Sequence, residues 1–273
     1  MSRIGLDEKS LLLARLEDAL ERCERGAPAS ISFLTPRQIR WAEEALRQRG
    51  AWQSAFLWGG YKDAERATLF LLPEYLLSCL SAAPSLCEPE EVLSLLEDAR
   101  EEVTALCVTG SGFRTLSHRD YLGAILNLGL ERDVLGDIAV QNDREAVLFC
   151  TATVAQFLLE NLERVANDRV TCRAYCPDAS FTDGRRYQPI SDTVASPRLD
   201  CVVAALTNLS REAAQSAIRT GLVELEYEVE ERTDLPLEPP AVLSIRGYGR
   251  YILRSFDGET RKGRLRMRAD KLI

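Results

Sequence analysis

The chain has 273 residues, of which 46% are hydrophobic and 28% charged, with a formal net charge of -8. That is the composition of an ordinary globular protein with enough apolar residues for real cores, and the length suits two or three domains better than one. The longest apolar run, around 67–77, is broken by Thr68, Pro73 and Glu74, far short of the ~20 residues a membrane-spanning helix needs. Residues 1–15 carry Arg3, Asp7, Glu8 and Lys9 where a secretory signal requires an unbroken apolar stretch. Membrane insertion and export are therefore not expected, and a cytoplasmic location is.

In chain order, Leu11, Leu12, Leu16, Ala19, Leu20 and Cys23 make a 3.6-period stripe that opens near Leu6 and stops at Gly26, which predicts an amphipathic helix. A second helix is framed by Thr35 as N-cap, Pro36 at the first helical position and Gly50 after the last turn. Segments 51–58 and 67–72, rich in aromatic and apolar residues, predict two strands, separated by Gly59-Gly60-Tyr61 and a charged helical loop over 62–66. Ala82-Ala83-Pro84-Ser85, with Pro89, has the composition of a linker.

The next segment reads as helix 90–100, strand 103–108, helix 118–128, strand 137–141, strand 145–150, helix 153–165 and strand 169–174. From its first strand this is β-α-β-β-α-β, the order of a ferredoxin-like split βαβ domain. In that fold two helices cover one face of an antiparallel sheet and the other face can stay open for a ligand. Asn142-Asp143-Arg144 supplies the central turn, and Ser117 with Asp120 makes an acidic capping box. Residues 177–196, rich in Asp, Ser, Thr, Gly and Pro, read as a linker. Two short helices follow, over 200–206 and 210–220, then Gly221 and a β-prone run. The expected class is thus α+β: an N-terminal α/β segment over 1–84, a ferredoxin-like domain over 85–176, the linker, and a C-terminal domain over 197–273.

The eight cysteines are scattered and mostly sit among apolar neighbours, as buried thiols do. Cys172 and Cys176 have no second Cys/His pair, since the sole histidine, His118, lies far upstream, so no metal is expected. Residues 1–245 hold 25 Lys and Arg against 39 Asp and Glu, whereas residues 246–273 hold 9 against 3, so the basic charge is concentrated at the C-terminus. His118-Arg119-Asp120 is similar to the catalytic-loop triplet of protein kinases, but Ile125 stands where that motif needs Asn. Gly110-Ser111-Gly112 lacks the third glycine of a dinucleotide fingerprint. Neither an enzyme nor a cofactor is expected.

The C-terminal segment carries a more specific pattern. Arg198-Leu199-Asp200, then Ser210-Arg211, Ala214, Ile218, Gly221 and Val223, resemble the S4 RNA-binding domain. Leu243-Ser244-Ile245-Arg246-Gly247-Tyr248-Gly249-Arg250-Tyr251 resembles the closing strands of one S4 family, the YlmH-type proteins of the bacterial cell-division cluster. Leu34-Thr35-Pro36-Arg37, Gly59-Gly60-Tyr61 with Ala64-Glu65-Arg66, and Leu116-Ser117-His118-Arg119-Asp120-Tyr121-Leu122-Gly123 followed by Gly129 and Leu135-Gly136-Asp137-Ile138 resemble that family too. Two positions depart from the S4 pattern: Glu226 stands where Asn is usual, in an acidic stretch over 224–228, and Pro239-Pro240-Ala241 replaces a Gly-Asp or Asn-Asp turn.

A helix starting near Ser210 aims free backbone N–H groups and its positive dipole end outwards, with Arg211 in its first turn and Arg219 roughly on the same side. The resemblance implies that Arg198, Arg211 and Arg219 form one patch that grips structured RNA, since arginine holds phosphate with two hydrogen bonds, and Ser210, Gln215, Arg246, Arg250 and Arg254 are further expected RNA-binding residues. Asp200 reads as a helix cap or an internal salt bridge, and Leu199, Ile218 and Val223 as core. Arg114, Ser117, His118 and Arg119 are either a second RNA surface or a structural cap.

What the resemblance implies for function is non-catalytic docking on ribosomal RNA and tRNA, on a large ribosomal subunit carrying a stranded peptidyl-tRNA. One alternative is a cell-division interaction protein whose acidic residues 1–196 bind a protein partner. Another is an RNA-modifying enzyme, because S4 domains also accompany pseudouridine synthases and tyrosyl-tRNA synthetases, although the catalytic signatures of those enzymes are absent.

Overall fold

The structure, a computed structural model, describes residues 3–97 and 99–273. Met1 and Ser2 at the N-terminus, and Asp98 in the helix expected over 90–100, lie outside the described residues. The chain forms two compact units, Met1–Gly184 and Arg185–Ile273.

The first unit opens with α1 (Arg3–Glu24), β1 (Ala29–Leu34) and α2 (Pro36–Gln48). The caps of α2 form as their chemistry dictates: Thr35 Oγ1 accepts the Gln38 N–H at 3.3 Å, and the Gln38 amide oxygen accepts the Thr35 N–H at 2.8 Å. After a single 3-10 turn over Trp52–Ser54 come β2 (Ala55–Trp58) and β3 (Ala67–Leu71), which pair antiparallel in the order β1-β3-β2. The sequence pattern missed β1, although Ala29-Ser30-Ile31-Ser32 alternates as a half-buried strand does. Leu12, Leu16 and Leu20 of α1 and Trp41 and Leu46 of α2 pack on one sheet face, with Ile31 and Leu69. Register slips between Ile31 and Leu34, where Phe33 adopts φ 33. This bulge turns Phe33 out of step with Ile31 and delivers its ring to the opposite face.

A short helix α3 (Glu74–Leu77) follows, and then α4 (Pro89–Leu93) and α5 (Ala99–Glu102) stand in place of the single helix expected over 90–100. Then come β4 (Thr104–Gly110), α6 (His118–Asn127), β5 (Leu135–Asn142), β6 (Glu145–Cys150), α7 (Ala152–Asn161), β7 (Arg164–Val165) and β8 (Asp168–Tyr175), with β7 occupying the end of the helix expected over 153–165. The sheet runs β5-β6-β4-β8-β7 and every neighbouring pair is antiparallel, the arrangement of a split βαβ unit. Leu106, Val108, Leu148 and Cys150 point to α6 and α7. Their alternates Ala105, Val147 and Phe149 point the other way and share a core with Phe33, Phe56, Tyr61 and Phe70. The second face is therefore covered, not open, and no boundary near residue 84 separates two cores. Strands apolar on both faces need cover on both, and the N-terminal sheet provides it.

The second unit begins with β9 (Tyr187–Val194), then α8 (Leu199–Thr207), α9 (Arg211–Arg219), β10 (Val223–Leu225), β11 (Glu228–Val229), β12 (Ala241–Ile245), β13 (Gly249–Glu259) and β14 (Leu265–Leu272). The sheet order is β11-β10-β12-β13-β14-β9. Residues 187–194 are thus a strand rather than part of a linker, paired with β14 from Tyr187↔Leu272 to Val194↔Leu265. An edge strand with one polar face and a proline lacks the apolar run that marks a central strand. Both helices pack on one sheet face through Leu199, Val202, Leu206, Ala214 and Ile218 against Leu243, Tyr251, Leu253 and Met267. Among the described residues no helix is long and apolar enough to cross a membrane.

Candidate nucleic-acid interface

Asp200, in the first turn of α8, has no exposed surface. It accepts Arg198 Nε and Nη2 at 3.2 Å each, Arg211 Nε at 3.0 Å and Gln215 Nε2 at 2.7 Å. Burial alone would raise the carboxyl, but the hydrogen bonds from Gln215, Arg211 and Arg198 outweigh it and hold the group down at about 2. The salt-bridge reading of Asp200 is the one the structure bears out. Ser210 caps α9, its Oγ accepting the Ala213 N–H at 3.2 Å. The arginine side chains remain 37% and 55% exposed at positions 198 and 211, so the carboxylate fixes their stems and leaves guanidinium edges in water. Four of the expected residues, Arg198, Ser210, Arg211 and Gln215, therefore converge at the start of α9.

The remaining four lie outside the Asp200 hydrogen-bond cluster. Arg219 is exposed at the end of α9, and Arg246 is exposed in the turn between β12 and β13. Along β13 the alternation that buries Tyr251 and Leu253 under the helices sends Arg250 and Arg254 to the opposite sheet face. There Arg250 lies 5.6 Å from the Tyr227 ring, and Arg254 donates to Asp270 at 2.7 Å and lies over Tyr187. Exposed Arg266 and Arg268 of β14, which sequence reasoning passed over, alternate with buried Met267 and Ala269 and share that outer face. A count of basic residues carries no face assignment until the strand register is known.

Glu226 does not extend the acidic stretch towards a ligand. With Tyr227 it forms the two-residue turn between β10 and β11, at φ 50 and 67, and its Oε1 accepts the Val242 N–H at 2.7 Å. The position demands a left-handed backbone and an acceptor, which is what asparagine ordinarily supplies there.

In the first unit, Asp120 accepts the Ser117 N–H at 2.9 Å and its hydroxyl at 2.6 Å, and these bonds hold the Asp120 carboxyl below the usual range. Arg114 stands 3.6 Å from the same carboxylate, and His118 and Arg119 are exposed. Ser117 is thus engaged in the cap, while Arg114, His118 and Arg119 face solvent around it. Leu116 and Tyr121 of the same motif are core, and the buried Tyr121 hydroxyl has no hydrogen-bond partner among the described residues.

The other shared motifs build a junction rather than a ligand site. Buried Asp137 accepts the Tyr61 hydroxyl and the Glu65 N–H at 2.7 Å each and the Arg66 N–H at 3.1 Å. Arg66 donates to the carbonyls of Leu135, Phe33 and Arg132 at 2.7, 2.9 and 2.8 Å. Gly60, at φ 101, lies against the Phe149 ring, and a Cβ on Gly136 would stand 2.5 Å from the Phe33 ring. Glycine is required at both points because the two sheets meet there.

Comparison with known proteins follows the same geography. A family model described as "Putative RNA-binding domain in YlmH" matches residues 105–176, the segment that forms the split βαβ sheet and its helices. The ribosome-associated protein quality control protein P2 of Bacillus subtilis (strain 168) is 30% identical over 210 residues, 77% of this chain and 74% of the relative. The solved structure of cell division protein ylmH from Streptococcus pneumoniae is similar at 18% identity and a TM-score of 0.44, covering 63% of this chain and 90% of that chain.

Proposed function

Because this chain belongs to the YlmH family, we propose that it is a cytoplasmic, non-catalytic RNA-binding protein that docks on structured ribosomal RNA and tRNA, on a large ribosomal subunit carrying a stranded peptidyl-tRNA. The second unit acts as an S4 domain, and the split βαβ sheet with α6 and α7 as a ferredoxin-like second RNA module. The observation that carries the reading is the Asp200 cluster. A buried carboxylate gathers Arg198, Arg211 and Gln215 beside the N-terminus of a capped helix, so cationic guanidinium groups stand next to a helix end that favours anions. Such a surface pays little ordering entropy when it meets a phosphate backbone, because the stems are already fixed. The work is positioning: phosphate contacts set register and orientation on a folded RNA, and no step of bond making is involved.

Ribosome co-sedimentation at two salt concentrations tests this. Four phosphate contacts predict roughly a 100-fold loss of affinity between 50 and 200 mM salt. Arg198 and Arg211 also stabilise Asp200, so an Arg198→Ala/Arg211→Ala variant is paired with Arg219→Ala/Arg246→Ala, whose side chains are exposed. Large-subunit binding that both variants weaken supports the reading. Absence of sedimentation at low salt sinks it and favours a protein partner for the acidic residues 1–196.

A further inference from the structure

Phe113 is 98% exposed, more than any other large apolar side chain among the described residues. It does not sit on a loose loop. Ser111 N–H and its hydroxyl donate to Asp168 at 3.0 and 2.5 Å, and Phe113 N–H donates to Ser111 Oγ at 3.3 Å. The loop is clamped to the β5–β6 turn by Gly110 N–H to the Arg144 carbonyl at 2.7 Å and Leu116 N–H to the Asp143 carbonyl at 2.8 Å. Leaving a phenyl ring in water forgoes the free energy of burying it, yet this loop leaves it out.

Its neighbours Ser111, Gly112, Arg114 and Thr115 are all exposed, so the ring is not the centre of an apolar patch of the kind a protein partner or a lipid surface would cover. Two arginines flank the loop. Arg114 is half exposed. The Arg144 side chain runs beside the loop, its Cδ 3.4 Å from where a Cβ on Gly112 would stand. From Asp120, which Arg114 approaches at 3.6 Å, a groove opens between α6 and the segment after α7, lined by Arg119, Asn127, Asn161, Glu163 and Arg164. Two of the local carboxylates are already engaged, Asp168 by Ser111 and Asp120 by Ser117.

We propose that Phe113 is a stacking platform for an unpaired RNA base, with Arg114 and Arg144 on the adjacent phosphates and the strand continuing into the Arg119–Arg164 groove. An aromatic face accepts any base, and a duplex does not offer one, so the ligand is single-stranded RNA. This rests on the RNA-binding reading above and adds the residue, the strand state and the route.

The test uses the full chain with fluorescein-labelled ten-nucleotide oligo-A and oligo-U, and a ten-base-pair RNA duplex. Phe113→Ala is expected to weaken single-strand binding by about 5- to 150-fold, the range for losing one base–aromatic stack, and to leave duplex binding and the melting temperature unchanged. Phe113→Trp is expected to bind as the wild type, with its added emission quenched by RNA. Wild-type affinity in Phe113→Ala, or a wild-type protein that sediments with ribosomes yet binds neither oligonucleotide, overturns the stacking proposal alone. Failure of the wild type to bind ribosomes and oligonucleotides alike overturns the RNA reading with it.

Discussion

Replacing Asp200 by asparagine isolates the force that organises α8 against α9. The carboxyl lies at about 2 in the folded chain against an ordinary 3.8, a difference of about 2.5 kcal/mol at 1.36 kcal/mol per unit. Since the folded value is the lower one, the stabilisation is complete above about pH 5, falls to roughly half near pH 3 and is lost as pH drops through 2. Asparagine keeps the shape and can keep an oxygen for Arg211 and Gln215, but it removes the charge and turns an amide N–H2 towards the Arg198 guanidinium, which offers only donors. The half-exposed arginines keep the cost below the ~3–5 kcal/mol of a fully buried broken pair, so Asp200→Asn is expected to lose about 2–3 kcal/mol at pH 7 and about 1 kcal/mol at pH 3. Urea unfolding of the full chain, followed by hydrogen exchange over residues 199–219, reads the difference where it arises. Equal stability at pH 7, or the same deficit at both pH values, would refute the assignment of Asp200 as an ionised hub.

Tyr121→Phe removes a buried hydroxyl that has no hydrogen-bond partner among the described residues and is expected to stabilise the first unit by about 1 kcal/mol, seen as a higher urea midpoint; a loss of stability would show that the hydroxyl is bonded after all. Gly136→Ala drives a methyl into the Phe33 ring and is expected to cost roughly 1–3 kcal/mol, measured by thermal melting, whereas Gly123→Ala, inside α6 with nothing within 4 Å of the added methyl, is expected to stabilise by about 0.5–1 kcal/mol. Native thiol labelling at pH 8 is expected to modify exposed Cys79 and Cys176 first. Cys150, fully buried and pushed up to about 12 by burial, should react only when the chain unfolds. Early labelling of Cys150 would contradict the packing of α7 on the sheet.

Elements with local signals were legible in the residues. Thr35-Pro36 and Ser117-Asp120 fix helix starts through hydrogen bonds made within four residues, and Asn142-Asp143-Arg144 sets the β5–β6 turn by its own backbone preferences. The Arg198, Arg211 and Gln215 cluster was legible as a list of residues, because α8 and α9 were, but its organising acceptor showed only as one of two readings of Asp200. Phe113 and Arg144 gave no periodic signal at all: a loop residue's exposure depends on what the rest of the chain leaves uncovered.

Alternation, capping and turn chemistry in the sequence by itself determined most of the helices and central strands and that the chain mixes both, because those forces act over a few neighbouring residues. Only the tertiary structure decided what covers each face. The bulge at Phe33, the Tyr61–Asp137–Arg66 junction, the pairing of β9 along β14 and the division of the C-terminal arginines between two sheet faces all join residues far apart in sequence. The free energy of such contacts depends on which surfaces meet, and no local window of sequence contains both partners.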